Sequence, residues 1–316
     1  MKIIFLKINN LKIKNKFLEN NFLEYLYISK MSSDIKNHLY FGTYTINDET
    51  TLLNSLETAY KYGYRRIDTA TLYKNQHIIG KFINTPEKKT NTYTKDLPDI
   101  KSYLTKRDTL WITSKVSFRV MPKGEVEIRK SIDKTLSDLQ THYIDLMLIH
   151  SPEKNDILTW KILCEYKEKG LIRNIGLSNY NLVKLKVFIK SIDNPEDIYC
   201  NQIEFNPFLN RKELIEYCKL LNIKVVTYGN LYYSNYIIDG IAEKMNKTKE
   251  QILLRFAKQK GLDIIVMAIE EKYIKMNIEL DFIISEEDMI EIEEIGDGGD
   301  GCIGIDTSKS KYKRFL

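Results

Sequence analysis

The sequence contains few cysteines, few histidines and no long apolar run, and each shortage excludes a class of protein. Its four cysteines are far apart in 316 residues, and they form no CxxC pair and no ligand spacing with the four histidines. We therefore expect reduced thiols in a cytoplasmic protein, without disulfides or a metal site. No apolar run approaches the ~20 residues of a membrane span. The start, MKIIFLKINN, is too short for a signal-peptide core, so we expect no membrane partner.

A large excess of one charge is also missing outside the start of the chain. The net charge is +5, and residues 1–30 hold six Lys and two Glu, so most of the excess lies in that segment. The remainder is close to neutral, which argues against a nucleic acid as the main partner.

Short apolar runs alternate with amphipathic segments from residue 39 onward. Most of these runs are continuously apolar, as parallel strands covered on both faces should be. Eight strands alternating with helices predict a single-domain (β/α)8 TIM barrel, with an open doubly wound sheet as the alternative. No G-x-G-x-x-G follows the first strand, which weakens that alternative. The predicted strands span residues 39–45, 64–70, 109–116, 143–150, 172–178, 198–205, 223–229 and 262–269.

Two segments do not fit this repeat. Residues 1–38 precede the first strand, and we treat them as an N-terminal extension that is compatible with disorder; the barrel then comprises residues 39–316. Residues 86–108 form a long charged insertion between the second helix and the third strand. A helix-to-strand connection lies on the face of such a barrel that is remote from the chemistry. We therefore expect no catalytic role for the insertion.

Four polar residues fall at the carboxyl ends of three consecutive predicted strands. Asp68 ends the second strand and Tyr73 follows it, Lys115 lies near the end of the third, and His150 ends the fourth. The carboxyl ends of barrel strands surround one pocket, so these side chains are expected to converge. Taken singly, Asp68 and Lys115 also fit a structural ion pair, and His150 also fits an ordinary loop.

The combination suggests proton donation by a phenol. A free tyrosine has a pKa near 10, and a nearby ammonium favours the phenolate and so lowers that pKa. Lys115 could supply the ammonium, with Asp68 holding it charged and fixed. His150 could donate a hydrogen bond to a substrate carbonyl oxygen. A carbonyl protonated on oxygen needs a nucleophile at carbon, and hydride from a nicotinamide is one candidate.

Several motifs resemble those of the aldo-keto reductase family. They are GYRRIDTATLYKNQHIIG, LWITSKV, YIDLMLIHSP, KGLIRNIGLSNYN, NQIEFNP and QILLRFAKQKG, and the likeness covers about residues 39–295. The resemblance implies NAD(P)H-dependent reduction of a small-molecule aldehyde or ketone to an alcohol. It also implies a catalytic tetrad of Asp68, Tyr73, Lys115 and His150, with Tyr73 as the proton donor. For the oligomeric state we favour a monomer.

The resemblance further assigns residues that would hold NADP(H) or NAD(H). They share positions that meet the ribose, the carboxamide, the nicotinamide ring or the adenine of the cofactor. These residues are Thr43, Ser178, Asn179, Gln202, Tyr228 and Asn277. Short loops after the fourth and seventh strands imply an open substrate pocket. The residues expected to line it are Tyr44, Trp111 (if its strand faces inward), Phe118, Tyr232 and Tyr233.

One departure from the family concerns the 2′-phosphate of NADP(H). Many members hold it with Pro-Lys-Ser after the eighth strand and an arginine about five residues later. The corresponding positions here are Val266, Met267, Ala268 and Tyr273, so this phosphate clamp is missing. The preference between the two cofactors stays open. Lys272 or Lys275 could compensate for the clamp, whereas Glu270 or Glu271 could accept from a ribose 2′-hydroxyl and favour NAD(H).

Two other functions stay open at this point. The missing clamp permits a regulatory barrel that binds cofactor with little or no turnover. A Schiff-base lyase that uses Lys115 is a third possibility. The predicted pairing with Asp68 disfavours the lyase, because a nucleophilic amine must be uncharged.

Overall fold

Eight parallel strands form a closed barrel in the computed structural model, which describes residues 38–86, 105–231 and 235–296. The strands are β1 (Leu39–Gly42), β2 (Arg66–Asp68), β3 (Trp111–Val116), β4 (Ile144–Ile149), β5 (Ile172–Ser178), β6 (Ile198–Glu204), β7 (Lys224–Tyr228) and β8 (Asp263–Val266). Each strand pairs with the next, and β1 closes the ring with Leu39 opposite Ile264 of β8. The predicted barrel is confirmed, and the doubly wound sheet is wrong because such a sheet has two open edges.

Helices cover the outside of the barrel between the strands. They are α1 (Glu49–Lys61), α2 (Gln76–Ile83), α3 (Glu125–Asp138), α4 (Asp156–Glu168), α5 (Leu182–Ile189), α6 (Lys212–Leu220), α7 (Tyr236–Met245), α8 (Lys249–Gln259), α9 (Glu271–Met276) and α10 (Glu286–Glu294). Helix α1 begins after Asp48, whose Oδ2 accepts from the Thr51 N–H at 2.7 Å. Helix α8 begins with the capping box of Thr248 and Gln251 that its sequence indicates.

The interior of the barrel is packed with side chains. A small buried cluster inside the ring consists of Tyr40, Leu146, Leu148, Cys200 and Val226. A much larger apolar core lies between the strands and the helices. The inner cluster forms a solid floor below the carboxyl ends of the strands, so a substrate can be held only above it.

The two described ends of the connection from α2 to β3 lie next to each other. Pro86 and Thr105 pair as an isolated antiparallel bridge, and the Lys106 N–H donates to Thr85 O at 3.2 Å. A 3₁₀ turn, Lys106–Thr109, then leads into the amino-terminal end of β3. The described ends of the insertion therefore lie between the end of α2 and the amino-terminal end of β3.

Some of the sequence-based expectations lie outside the described residues. They are the extension, as far as residue 37, and the part of the insertion between residues 87 and 104. The expected pocket residues Tyr232 and Tyr233 also lie outside them.

Candidate active site

The carboxyl ends of β2, β3 and β4 bring the four expected tetrad residues together. Asp68 is the last residue of β2, Lys115 is the last but one of β3, and His150 directly follows β4. Tyr73 ends a 3₁₀ turn that follows β2. The ring centres of Tyr73 and His150 are 6.1 Å apart, and Lys115 Nζ lies 3.4 Å from Tyr73 Oη.

Asn75 fixes the turn that carries Tyr73, and the sequence reasoning missed this residue. Its Nδ2 donates to Thr43 O at 2.8 Å, and Thr69 Oγ1 donates to its Oδ1 at 3.2 Å. Lys74 adopts a φ of 60°, which turns the chain sharply after Tyr73. An asparagine directly before a helix is most simply read as a helix cap, and that reading hides its longer-range contacts.

Lys115 and Asp68 form a buried ion pair. Lys115 Nζ donates to Asp68 Oδ1 at 2.6 Å and to Thr69 O at 3.0 Å. Burial lowers the pKa of Lys115, and the Asp68 carboxylate opposes that shift. Removing one partner of such a pair leaves an uncompensated buried charge, which costs about 3–5 kcal/mol. The Asp68 carboxylate therefore favours the charged form of Lys115.

The electrostatics of Tyr73 differ from the sequence-based expectation. Burial raises the pKa of Tyr73 well above its ordinary value, and the Asp68 carboxylate and Tyr44 raise it further. The expected lowering of this pKa is not found, because burial and the Asp68 carboxylate dominate the shift. Tyr73 is therefore protonated at neutral pH, which is the form that a proton donor needs.

His150 is uncharged at neutral pH. Burial lowers its pKa to about 3, and the Lys115 ammonium contributes to the shift. Within the described part of the chain, its buried Nδ1 has no hydrogen-bond partner. A buried N–H without an acceptor is rarer than a buried unpaired acceptor, so we assign the proton to Nε2. This tautomer makes His150 a neutral hydrogen-bond donor.

Gln202 connects the tetrad to the far side of the barrel. Its Nε2 donates to Asp68 Oδ2 at 2.8 Å, so each oxygen of this carboxylate accepts one hydrogen bond. Gln202 lies on β6 and is buried. The resemblance assigns it to the cofactor carboxamide, whereas its contact with Asp68 could not be read from residues 134 positions apart.

The other expected nicotinamide contacts form a hydrogen-bonded chain beside the tetrad. Asn179 N–H donates to Gln202 O at 2.8 Å, and its Nδ2 donates to His150 O at 2.9 Å. Tyr228 Oη donates to Asn179 Oδ1 at 2.6 Å. Ser178 Oγ donates to Gln202 O at 3.1 Å. The ends of β4, β5, β6 and β7 are therefore held in register around one opening.

Thr43 and two aromatic residues complete the rim near Tyr73. Thr43 Oγ1 donates to Asp68 O at 3.0 Å. The Tyr44 ring centre lies 5.0 Å from that of Tyr73, and the Phe118 ring centre lies 5.8 Å from that of His150. Tyr44 is 47% exposed, so the pocket is open on that side. Tyr44 and Phe118 therefore lie beside the rings of Tyr73 and His150.

Trp111 does not line this pocket, and that expectation is corrected. Trp111 is the first residue of β3, four residues before Lys115. At about 3.3 Å per residue, it lies roughly 13 Å from Lys115 along the strand, towards the amino-terminal end. Its ring lies 5.5 Å from that of Tyr199 and 4.6 Å from the Arg66 guanidinium. Its strand does face inward, but Trp111 lies at the amino-terminal end of the barrel.

Two buried amides fit a polar ligand along the ends of β6 and β7. Asn206 follows β6 and Asn230 follows β7, and both side chains are buried. Among the described residues, Asn206 Nδ2 and Asn230 Oδ1 have no hydrogen-bond partner. Buried polar atoms normally have partners, so these two indicate a place for a ligand with its own donors and acceptors. A nicotinamide cofactor has such groups.

In the region expected to meet the adenosine end of the cofactor, charged side chains contact other groups of the protein. Asn277 is buried at the end of α9. Glu271 accepts from Lys61 Nζ at 2.8 Å and from Tyr62 Oη at 2.7 Å. Lys272 Nζ lies 5.4 Å from the ring centre of Tyr273. One of the two acids that could favour NAD(H) is thus engaged within the protein.

Lys275 is one of the two lysines that could compensate for the missing clamp. Its Nζ lies 3.7 Å from Glu279 Oε1, so its charge is partly balanced.

Neither a membrane-spanning helix nor a metal site occurs in the ranges that the structure describes. No helix there has the length and apolar character to cross a membrane. No group of three or more His, Cys, Asp or Glu side chains in these ranges is arranged to hold a metal ion.

The closed barrel and the ionisable groups at its carboxyl end define an enzyme of the (β/α)8 class. Comparison with known proteins gives its family, because the model of the "Aldo/keto reductase family" matches residues 38–235. The chain belongs to the aldo/keto reductase family. It is an NAD(P)-dependent oxidoreductase, and reduction of carbonyl groups is its general chemistry.

Individual relatives agree with this assignment. Glyoxal reductase of Bacillus subtilis is 34% identical over 80% of this chain and 87% of its own length. Methylglyoxal reductase DkgB of Escherichia coli O157:H7 is 29% identical over 75% of this chain and 84% of its own. The solved structure of MGS-M4, an aldo-keto reductase from a deep-sea metagenome library, superposes with a TM-score of 0.72 at 27% identity. It covers 84% of this chain and 93% of that one.

Proposed function

We propose that the chain reduces small aldehydes or ketones to alcohols, with Tyr73 as the proton donor. The observation that carries this proposal is the contact of Lys115 Nζ with both Asp68 Oδ1 and Tyr73 Oη at the mouth of the barrel. A structural ion pair would need only the first contact. The second places a positive charge where a phenolate would form.

The proposed reaction uses the protonated phenol and the neutral imidazole together. His150 Nε2–H donates a hydrogen bond to the carbonyl oxygen and orients it. NAD(P)H would be held by the residues that the family resemblance assigns to the cofactor, and it would supply a hydride to the carbonyl carbon. Tyr73 Oη gives its proton to the same oxygen, and the ammonium of Lys115 stabilises the phenolate that remains. Asp68 and Gln202 keep Lys115 in position throughout.

The proposed cofactor contacts are those that the family resemblance assigns. They are Thr43, Ser178, Asn179, Gln202, Tyr228 and Asn277. We infer only a weak preference for NADPH over NADH, because each lost charge-assisted hydrogen bond to a 2′-phosphate removes about 1.5–3 kcal/mol. Fluorescence titration with both cofactors tests this inference. Dissociation constants within about tenfold support it, and a hundredfold preference for NADPH contradicts it.

The proposed substrates are small carbonyl compounds without strict selection. The exposed ring of Tyr44 and the absence of Trp111 from the pocket support an open site. Two relatives are named for the reduction of glyoxal and methylglyoxal, which are small dicarbonyl compounds. A panel of aldehydes tests the idea, and turnover of one aldehyde far above all the others would contradict it.

The decisive test of the reaction is Tyr73→Phe. This change removes the proton donor, so we expect the kcat for oxidation of NAD(P)H by methylglyoxal to fall by about 10²–10⁴-fold. The dissociation constant for the cofactor should change by less than about twofold.

Tyr64→Phe is the matched control, because it removes another buried hydroxyl, which donates to Ile274 O at 3.2 Å. It should retain turnover. Full activity of Tyr73→Phe would reject the proposal.

The two competing functions have specific signatures in the same assays. A regulatory barrel would bind cofactor and leave it unoxidised in the presence of every aldehyde. A Schiff-base lyase would become labelled on Lys115 when borohydride is added with substrate. The bond between Lys115 and Asp68 argues against the lyase, because it keeps the amine charged.

A further inference from the structure

We propose that Arg119 forms an anion subsite at the rim of the pocket and favours carbonyl substrates that carry a carboxylate. The proposal rests on the proposed carbonyl reduction and adds the charge of its substrate. Arg119 lies in the connection from β3 to α3, directly after Phe118.

The geometry places the guanidinium at a distance that suits the far end of a small substrate. Arg119 Cζ lies 5.7 Å from the ring centre of Phe118, and that ring centre lies 5.8 Å from the ring of His150. Two ring contacts therefore separate the guanidinium from the imidazole that would hold the carbonyl oxygen. The body of a substrate that spans this distance would pack on Phe118, with its carboxylate at Arg119.

The backbone that carries Arg119 is held in a defined turn. Its N–H donates to Ser117 Oγ at 3.1 Å, and the Val120 N–H donates to Ser117 O at 2.9 Å. Asn155 Nδ2 donates to Met121 O at 2.9 Å, which ties this connection to the one after β4. The side chain of Arg119 is exposed, so a fixed backbone carries a solvent-accessible charged group next to the Phe118 ring.

No described residue forms an ion pair or a side-chain hydrogen bond with the Arg119 guanidinium. The acids at the start of α3 have other partners, since Glu125 pairs with Arg129 and Glu127 pairs with Lys130. An unpaired guanidinium offers a planar fork of N–H donors that matches a carboxylate.

The charges on the neighbouring connections also favour an anion. Lys74 follows Tyr73, and Lys154 lies in the connection after β4; both are exposed. Glu153 is the exposed acid beside them, and its Oε1 accepts from the Lys154 N–H at 2.7 Å. Asp156, farther along, accepts from Tyr180 Oη at 3.1 Å. The connections next to the tetrad thus have more cations than free carboxylates.

The floor of the pocket cannot select for an anion by itself. The charge of Lys115 is balanced by Asp68, and His150 is neutral. Any preference for an anionic substrate must therefore come from the rim, where Arg119 is the cation in contact with a pocket side chain.

Two substrates of nearly equal shape test the subsite in the full chain. The probes are 4-carboxybenzaldehyde, which is anionic, and methyl 4-formylbenzoate, which is neutral. We expect Arg119→Ala to lower the ratio of their kcat/KM values about three- to tenfold, chiefly through the KM of the carboxylate. Arg119→Glu should lower the ratio further, and added NaCl should lower the wild-type ratio.

Lys169→Ala is the matched control. It also removes a cation over an aromatic ring, because Lys169 Nζ lies 5.6 Å from the Tyr166 ring centre at the end of α4. It should leave the ratio unchanged. A ratio for Arg119→Ala within a factor of about 1.5 of the wild-type ratio overturns the proposal.

A binding measurement separates failure of the subsite from failure of the proposed reaction. Calorimetric titration of 4-(hydroxymethyl)benzoate into the cofactor-loaded protein should give a dissociation constant about three- to tenfold weaker for Arg119→Ala. If neither aldehyde is turned over, the proposed reaction fails, and this titration still decides on Arg119. If turnover is normal but the ratio and the dissociation constant do not change, only the subsite fails.

Discussion

The amino-terminal end of the barrel combines cations, acids and aromatic rings, and so does the carboxyl end. At the amino-terminal end, Asp145 accepts from Arg107 and Arg173 at 2.8 and 3.0 Å, and both guanidinium groups stack on Tyr143. The Ile112 N–H also donates to Asp145 at 2.9 Å. This cluster is well supplied with partners, as a structural cluster should be.

At the carboxyl end, several buried polar atoms of similar groups have no hydrogen-bond partner among the described residues. His150 Nδ1, Asn206 Nδ2 and Asn230 Oδ1 are buried without partners in the described ranges. Lys115 contacts Tyr73, whose proton has no acceptor in the tetrad. The difference shows that residue types alone do not distinguish a structural cluster from a reactive one. The distinguishing feature is whether the buried polar groups are satisfied.

Among the variants that distinguish the two ends of the barrel, Lys115→Met should have the largest effect on stability and activity. It leaves Asp68 as an uncompensated buried charge, so we expect a loss of about 3–5 kcal/mol in the free energy of unfolding. It also removes the charge that stabilises the phenolate, so kcat should fall by roughly 10³-fold. Urea denaturation and steady-state kinetics measure the two effects.

A double variant shows whether the two losses have separate causes. Lys115→Met with Asp68→Leu should regain part of the stability, because a buried pair can be replaced by apolar groups at little cost. It should regain no activity. Turnover of Lys115→Met within about tenfold of the wild type would contradict the role given to Lys115.

Asp145→Asn makes the corresponding change at the other end. It removes the charge shared by Arg107 and Arg173, and we expect it to lower the free energy of unfolding by about 2–4 kcal/mol. Because Asp145 is remote from Tyr73, kcat/KM should stay within about twofold. A loss of activity as large as that of Lys115→Met would mean that the two ends are coupled.

The pH dependence of stability gives an effect of intermediate size. The pKa of His150 in the folded chain is about 3, below the ordinary value of about 6.5, so the unfolded chain takes up a proton first. The stability from this group is therefore complete above pH 6.5 and is lost as the pH falls towards 3. The loss between pH 6.5 and pH 5 should be about 2 kcal/mol.

Denaturation of His150→Asn at both pH values tests this assignment, and that variant should show a smaller loss. His142→Asn, which changes an exposed histidine, is the control and should keep the wild-type slope. Equal slopes for His150→Asn and the wild type would show that His150 is not held neutral.

The smallest expected effect is that of Gln202→Leu. It leaves Asp68 Oδ2 without its hydrogen bond, which we expect to lower kcat about tenfold through a less fixed Lys115. Asn201→Leu is the matched control on the same strand, because it removes a buried amide that donates to Tyr180 O at 2.8 Å. Both variants should lose similar stability. A similar loss of kcat in both would remove the positioning role of Gln202.

The arrangement of the barrel followed from the sequence because its signals are local. The strands have three to seven residues and are mostly apolar, and the observed bounds differ from the predicted ones mainly at the ends. The convergence of Asp68, Lys115 and His150 also followed, because strand ends in this fold share one face.

The features of the site that could not be predicted from the sequence depend on a residue's position along its strand, on burial and on contacts between residues far apart in the chain. Trp111 was placed in the pocket because its strand faces inward, although its height along β3 puts it at the opposite end. The raised pKa of Tyr73 depends on its burial and on the nearby Asp68 carboxylate, and a residue pattern does not reveal how these combine. The bond from Gln202 to Asp68 joins opposite sides of the ring.

The bridge between Pro86 and Thr105 has a consequence for how this protein can change over generations. Since the two residues that flank the segment 87–104 are bridged to each other, the length of that segment can grow or shrink without altering the spacing of the flanking elements. Selection can therefore act on that segment and on the reductase chemistry independently. The same junction offers an engineer a place to graft a reporter or a surface anchor far from the substrate.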